Sequence, residues 1–246
     1  MITNFKIYTE HLTFEYHKDL NPIFWKNDKF DEGIRIKLLR IARDLYEKSN
    51  LDLEIEDIIL TGSMSNYNWT DFSDLDVHII VDMSKYDGDI EVLKEAIDGI
   101  LFQWKTYHHI TLRGFTIELY IQDKFEEFHG GGKYSLLNDK WIKKPSYNKP
   151  QIDEKEIEVK YHKIEHEIKE LERLSNSDLT TEDYERYFEM SKNLKKQIKN
   201  MRKEGLTTKQ EEFSNANILF KELRNKGLIG NLFDTINRLY DKIFIQ

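Results

Sequence analysis

The chain has 246 residues, of which 39% are hydrophobic and 33% charged, and it carries a net charge of −8. At ~100–200 residues per domain, this length admits one large domain or two small ones with a real core, and the composition argues against disorder. Cysteine is absent, so disulfides, thiolate nucleophiles and cysteine-ligated zinc are excluded, and any metal must sit on oxygen or imidazole. The acidic excess lies in the first part of the chain: 26 acidic and 19 basic residues precede Gln151, whereas 19 and 18 follow from it onward. Such a balance opposes nucleic-acid binding spread over the whole surface. No run approaches the ~20 apolar residues that cross a bilayer, and Met1 to Glu10 lacks an apolar signal core, so the expectation is a cytoplasmic protein without a membrane partner.

In chain order, Ile34, Leu38, Ile41 and Leu45 recur at helical spacing and predict an amphipathic helix over Asp31 to Ser49. Asp57 to Thr61 is a β-branched apolar run stopped by Gly62, the pattern of a buried strand ending in a tight turn. A second such run, Val77 to Val81, follows Asp76. Apolar residues every three or four positions predict a helix over Ile90 to Tyr107. In Phe115 to Gln122, Ile117, Leu119 and Ile121 alternate with Thr116, Glu118 and Tyr120, predicting a third strand with one apolar and one polar face. Gly130-Gly131-Gly132 and Lys143 to Pro150 read as loop and connector. Beyond them the pattern is helical, with stripes at Ile157, Tyr161, Ile164, Ile168 and Leu171, then at Tyr184, Tyr187, Leu194, Ile198 and Met201, and with Gly205 and Gly227 as helix stops. The expected fold is α/β (α+β): a small mixed sheet flanked by helices in residues 1–150, then an all-helical domain in 151–246.

The chemistry concentrates in Leu60 to Val81. Asp74 and Asp76 are separated by one residue at the start of a strand, so they point to one side of the sheet. Two carboxylates so placed repel each other unless a cation compensates, and oxygen ligands favour Mg²⁺ or Mn²⁺. Glu118 supplies a third carboxylate from a strand able to pair beside that of Asp76. Gly62, without a Cβ, lets backbone N–H groups approach a phosphate, and Ser63 adds a hydroxyl donor. An isolated Asp-x-Asp is an ordinary strand end and Gly-Ser an ordinary turn. Their conjunction at a ten-residue spacing, with a carboxylate midway along a third strand, suits phosphoryl transfer.

These residues resemble the nucleotidyltransferases of the DNA polymerase beta superfamily, whose pattern is a Gly-Ser, a spacer of about ten residues, an Asp-x-Asp among apolar residues and a later third carboxylate. Gly62, Ser63, Asp74, Asp76 and Glu118 match it position by position. Leu20 to Trp25 and Ile117 to Asp123 further resemble a group of phage-encoded nucleotidyltransferases. The resemblance implies a mixed sheet with a catalytic face, two Mg²⁺ (or Mn²⁺) ions held by Asp74, Asp76 and Glu118, and a nucleoside triphosphate donor. Nucleoside monophosphate would pass to an acceptor hydroxyl on an RNA end, a protein or a small molecule. Minimal nucleotidyltransferases that act as antitoxins also resemble this site, but they often carry Arg-Gly where this chain reads Ser65-Asn66-Tyr67. A catalytically idle nucleotide-binding or antitoxin-like module that docks a protein partner is the second reading.

Lys192, Lys195, Lys196, Lys199, Arg202 and Lys203 form a basic ridge on one helix, with Lys221 and Arg224 on the next. Lys199, Arg202 and Lys221 are candidate nucleotide-binding residues, for the triphosphate or an RNA backbone; the alternative is a solvated helix face. His78 reads as a packed strand histidine. His108, His109 and His129 lack a zinc partner set. Tyr67, Trp69 and Phe72 suit either base stacking or local packing.

Overall fold

The computed structural model describes residues 12–128, 131–147 and 150–245. His129, Gly130, Asn148, Lys149 and the Met1 to Glu10 stretch lie outside the described residues. The fold is mixed α+β, and the chain divides into two compact units, Glu15–Lys149 and Pro150–Gln246, the latter taking in Met1–Phe14.

The first unit opens with a two-stranded hairpin, β1 (Trp25–Lys26) and β2 (Lys29–Phe30). Asn27 and Asp28 both take positive φ, 51° and 62°, the type I′ geometry whose twist matches a hairpin. Helix α1 (Glu32–Ser49) follows, with the Asp31 side chain accepting from the Ile34 amide at 3.0 Å as an N-cap. Then come β3 (Ile55–Thr61), a 3₁₀ turn (Ser63–Ser65), β4 (Leu75–Val81), α2 (Ile90–Tyr107), β5 (Thr111–Leu112), β6 (Phe115–Asp123), β7 (Lys133–Ser135) and β8 (Lys140–Lys143). Asp89 caps α2 by accepting from the amides of Glu91 and Val92.

The six strands order as β5-β6-β4-β3-β7-β8. β4 and β6 run parallel, and the other neighbouring pairs are antiparallel. A parallel neighbour requires a crossover connection, which α2 supplies. One face of the sheet carries Ile58 and Leu60 of β3 and Leu75, Val77, Ile79 and Val81 of β4, all fully buried, and belongs to a core shared with Leu38, Ala42 and Leu45 of α1 and Leu93 and Ile97 of α2. Period-two alternation therefore turns Asp76 and His78 to the other face.

The second unit is helical: α3 (Glu154–Ser175), α4 (Thr181–Leu206), α5 (Asn215–Asn225) and α6 (Leu228–Phe244). Ile157, Ile168, Leu194, Ile198, Ile218, Leu223 and Leu232 belong to its core. Gly227, at φ 77°, separates α5 from α6. Gly205 falls inside the last turn of α4 rather than beyond it, facing Ser214 and Ala216. Residues 12–14 belong here and not with the sheet: Leu12 and Phe14 pack on the helical core. The buried Glu222 carboxylate accepts from the Thr13 amide, from Thr13 Oγ1 at 2.6 Å and from the Phe14 amide at 3.1 Å. A buried carboxylate needs such partners, and no periodicity in residues 12–14 announces them. Among the described residues no helix is long and apolar enough to cross a membrane.

Candidate active site

Register brings the acidic residues together. Thr61 pairs with Asp76 across β3 and β4, and Asp76 pairs with Glu118 across β4 and β6. Facing residues on neighbouring strands lie ~4.8 Å apart, so the end of β3, Asp76 and Glu118 form a row across three strands. Asp74 stands two residues before Asp76, ahead of β4.

Gly62 ends the row. Its φ of 71° and ψ of −160° fall in a region essentially confined to glycine. A Cβ there would stand 1.9 Å from Asp76 Oδ2. The residue is thus glycine for two separate reasons, its backbone conformation and the carboxylate lying over it. It leads into the 3₁₀ turn Ser63–Ser65, which is held from behind: Ser65 Oγ lies 3.0 Å from the Gly62 carbonyl oxygen and 2.9 Å from that of Gly132. Gly132 presses so closely that an added Cβ would be 1.9 Å from the Ser65 carbonyl oxygen. The glycine run read as a loop is, at Gly132, a buttress of the Gly-Ser turn. Ser63 Oγ donates to Ser73 Oγ at 2.8 Å, and Ser73 Oγ accepts from the Thr70 amide at 2.9 Å, which ties the start of the ten-residue spacer to its end.

Glu118 is held at both oxygens. Lys105 Nζ donates to Oε1 at 3.1 Å from α2, and the Tyr120 hydroxyl donates to Oε2 at 2.6 Å. The Tyr120 phenol is raised far above its ordinary value, first by burial, then by its hydrogen bond to Glu118, then by the charges of Glu118, Asp76 and Asp74. All three carboxylates therefore act on one half-buried hydroxyl. Among the described residues, however, no three Asp, Glu or His side chains stand as a ready metal-ligating group. Lys105 supplies the counter-charge that neighbouring carboxylates need.

Behind the carboxylates, His78 stacks on Tyr120 with ring centroids 4.5 Å apart, and its Nδ1 lies 2.8 Å from Gln122 Oε1. Burial lowers the imidazole to about 4, against a smaller raising by the Gln122 hydrogen bond, so at neutral pH the ring is an uncharged packing partner. Tyr120 and Lys105 are the site residues that sequence reasoning missed. Tyr120 had a signal, since it shares the polar face of its strand with Glu118; the meeting of Lys105 with Glu118 depends on how α2 lies against β6.

In the spacer, Tyr67 meets Tyr16 and Tyr147 at 6.2 and 5.3 Å, and Trp69 stacks on His17 at 3.6 Å. Both serve local packing, whereas Phe72 is 51% exposed. Lys199 and Arg202 on α4 and Lys221 on α5 belong to the helical unit. Within the ridge, Lys192 pairs with Glu189 at 2.9 Å, Lys195 lies 3.9 Å from the centre of the Phe233 ring, and the Arg202 guanidinium lies 4.3 Å from that of Phe220.

No protein-family model and no curated protein sequence matches the chain. Among solved structures, it is similar to the STING-associated CdnE c-di-GMP synthase from Capnocytophaga granulosa, at 12% identity over 91% of this chain and 89% of that one, with a TM-score of 0.24. At that level of likeness the function rests on this chain's own residues.

Proposed function

We propose that the chain is a metal-dependent nucleotidyltransferase that moves a nucleoside monophosphate from a nucleoside triphosphate to an acceptor hydroxyl. The observation that carries this reading is the row formed by Gly62, Asp76 and Glu118 across three neighbouring strands, with Asp74 close enough to act on the same half-buried phenol. The donor set suits a hard cation, being carboxylate oxygen throughout, and Asp74, Asp76 and Glu118 would hold a pair of Mg²⁺ or Mn²⁺ ions. Such ions would supply charge neutralisation on the triphosphate and acidify the acceptor hydroxyl. Gly62 and Ser63 orient the phosphates at one end of the row. Glu118, released from Lys105, takes the acceptor proton at the other. The acceptor oxygen bonds to the α-phosphorus, the bond from that phosphorus to the bridging oxygen breaks, and its electron pair leaves with pyrophosphate. Lys199, Arg202 and Lys221 are proposed to bind the triphosphate or an RNA backbone, and reversing the charges of Lys199 and Arg202 tests this by nucleotide affinity and by salt-sensitive RNA binding.

The test of the reaction is incubation with α-labelled triphosphates, Mg²⁺ and a cell extract, comparing the native protein with Asp76→Asn. The substitution removes one ligand charge and little volume, so label transfer falls about a hundredfold or more while the circular dichroism spectrum stays native. Full transfer by Asp76→Asn refutes the assignment. One observation favours the second reading, an idle binding module: both Glu118 oxygens are already engaged. Triphosphate binding without transfer to any acceptor would decide for it.

A further inference from the structure

A cavity of about 290 Å³ lies between the C-terminal half of α2 and β6. β5 pairs with β6 only at Phe115 and Thr116, so past Thr116 this side of β6 borders the cavity instead of another strand. Glu118 and Tyr120 reach its wall together with Lys105, and the remainder is largely apolar, including Trp104, Leu101 and Ile110. Trp104 is stacked on His108 at 4.0 Å and 17°, which fixes an aromatic wall.

We propose that this cavity is the acceptor pocket and that it takes a small, uncharged, ring-bearing compound with a hydroxyl group. The inference rests on the nucleotidyltransferase reading and specifies its second substrate. Two observations carry it. The first is sidedness: Gly62 and Glu118 stand at opposite ends of the row, with Asp76 between them. Phosphates oriented at the Gly62 end leave the Glu118 end to the attacking hydroxyl, and the cavity opens at that end. The second is charge. The charged groups of the lining are Lys105, Asp98 and Glu118; with Glu118 given to the metal ions of the proposed site, Lys105 and Asp98 offset each other. Such a wall lacks the cationic cluster that a triphosphate or a nucleic-acid backbone needs and admits a neutral molecule. Size agrees: an apolar cavity of ~150 Å³ holds benzene, so this one has room for a larger ring system, with Trp104 and Phe102 in its lining. His108, His109 and Asp98 offer polar contacts to the ring edge.

The experiment measures binding without triphosphate, by saturation-transfer NMR, using adenosine and N-acetyl-tyrosinamide as probes of the nucleoside and phenol sources of this chemistry. At least one binds, and inorganic tripolyphosphate does not displace it. Thr116→Trp, at an exposed lining position, fills the pocket and weakens binding at least about tenfold. Leu101→Trp does the same from the helix side and guards against a local effect of either change. Binding of neither probe, equal affinity in both variants, or displacement by tripolyphosphate overturns the proposal. Because the readout needs no catalysis, it is separable from the reaction: a protein that binds a probe here yet transfers label equally well with Asp76→Asn would keep the pocket and lose the enzyme.

Discussion

Replacing Gly62 by alanine isolates the two reasons for glycine at the head of the site. The first is backbone. At φ 71° and ψ −160°, an L-residue with a Cβ is strained by about 1–3 kcal/mol. The second is steric. The new Cβ would sit 1.9 Å from Asp76 Oδ2 and 2.9 Å from its Cγ, whereas ordinary contacts lie at ~3.5–4.0 Å, so the carboxylate must swing away. The two are separated by a double-mutant cycle with Asp76→Ala, which removes the obstructing atoms but not the φ strain. Gly62→Ala should cost about 1–3 kcal/mol in the Asp76→Ala background and measurably more in the native one, with a coupling of about 1 kcal/mol or larger. At about 2–4 °C per kcal/mol for a chain of this size, the native-background variant melts several degrees lower. Tryptophan fluorescence is the appropriate probe, because Trp25, Trp69, Trp104 and Trp141 are all four tryptophans of the chain and all lie in the sheet unit. Urea unfolding followed this way reports on that unit alone. A stability loss below about 0.5 kcal/mol, or strict additivity with Asp76→Ala, would refute the argument that the carboxylate is seated over Gly62.

Tyr120→Phe deletes the 2.6 Å hydrogen bond to Glu118 and keeps the ring on His78; bonds to charged groups contribute roughly 1.5–3 kcal/mol, so the loss of stability should reach that order, and an unchanged unfolding midpoint would contradict the contact. Lys105→Met should change stability by less than about 1 kcal/mol because the pair is largely solvated on the lysine side, yet it should raise Mn²⁺ affinity about two- to fivefold by removing a cation that competes for Glu118; weaker Mn²⁺ binding by titration calorimetry would reverse that role. His78, lowered to about 4 from 6.5 by burial, stays neutral in the fold while the unfolded chain protonates. Its contribution is therefore complete above pH 6.5 and is lost progressively as pH falls toward 4, by about 3 kcal/mol at 1.36 kcal/mol per pH unit. Melting temperatures against pH for the native protein and His78→Leu check this, since the variant should lack the part of the acid slope between those limits.

The long elements were legible because each repeats its period often enough to be read. α1 and α2 begin beside the caps Asp31 and Asp89, and β4 alternates buried and half-buried residues from Leu75 to Ile79. β5, β7 and β8 have two, three and four residues, too few for any period, and only pairing with longer neighbours makes them strands. The hairpin at Asn27 and Asp28 carried a turn signal that hydrophobic pattern alone does not capture. Glu222 with Thr13 and Phe14 joins residues more than two hundred positions apart, and chemistry of that kind leaves no mark on local sequence. It is why residues 12–14 fall with the helices although they precede the sheet.

The same alternation that made the site's placement foreseeable also makes it dependent on the core. Asp76 faces Glu118 because Val77 faces Leu119 and Ile79 faces Ile121 in the parallel ladder. A one-residue slip of β6 against β4 would turn Glu118 into the apolar layer and Leu119 onto the carboxylate face. Burying an unpaired carboxylate costs several kcal/mol, so the apolar residues and the acid select one register together. Tyr120 adds to this selection, since its ring stacks on His78 only when the two lie on the same face of the sheet. The carboxylate row is accordingly specified by hydrophobic residues on the opposite side of the sheet, and substitutions such as Val77→Ala or Ile79→Ala should loosen the geometry of Asp76 and Glu118 without touching either.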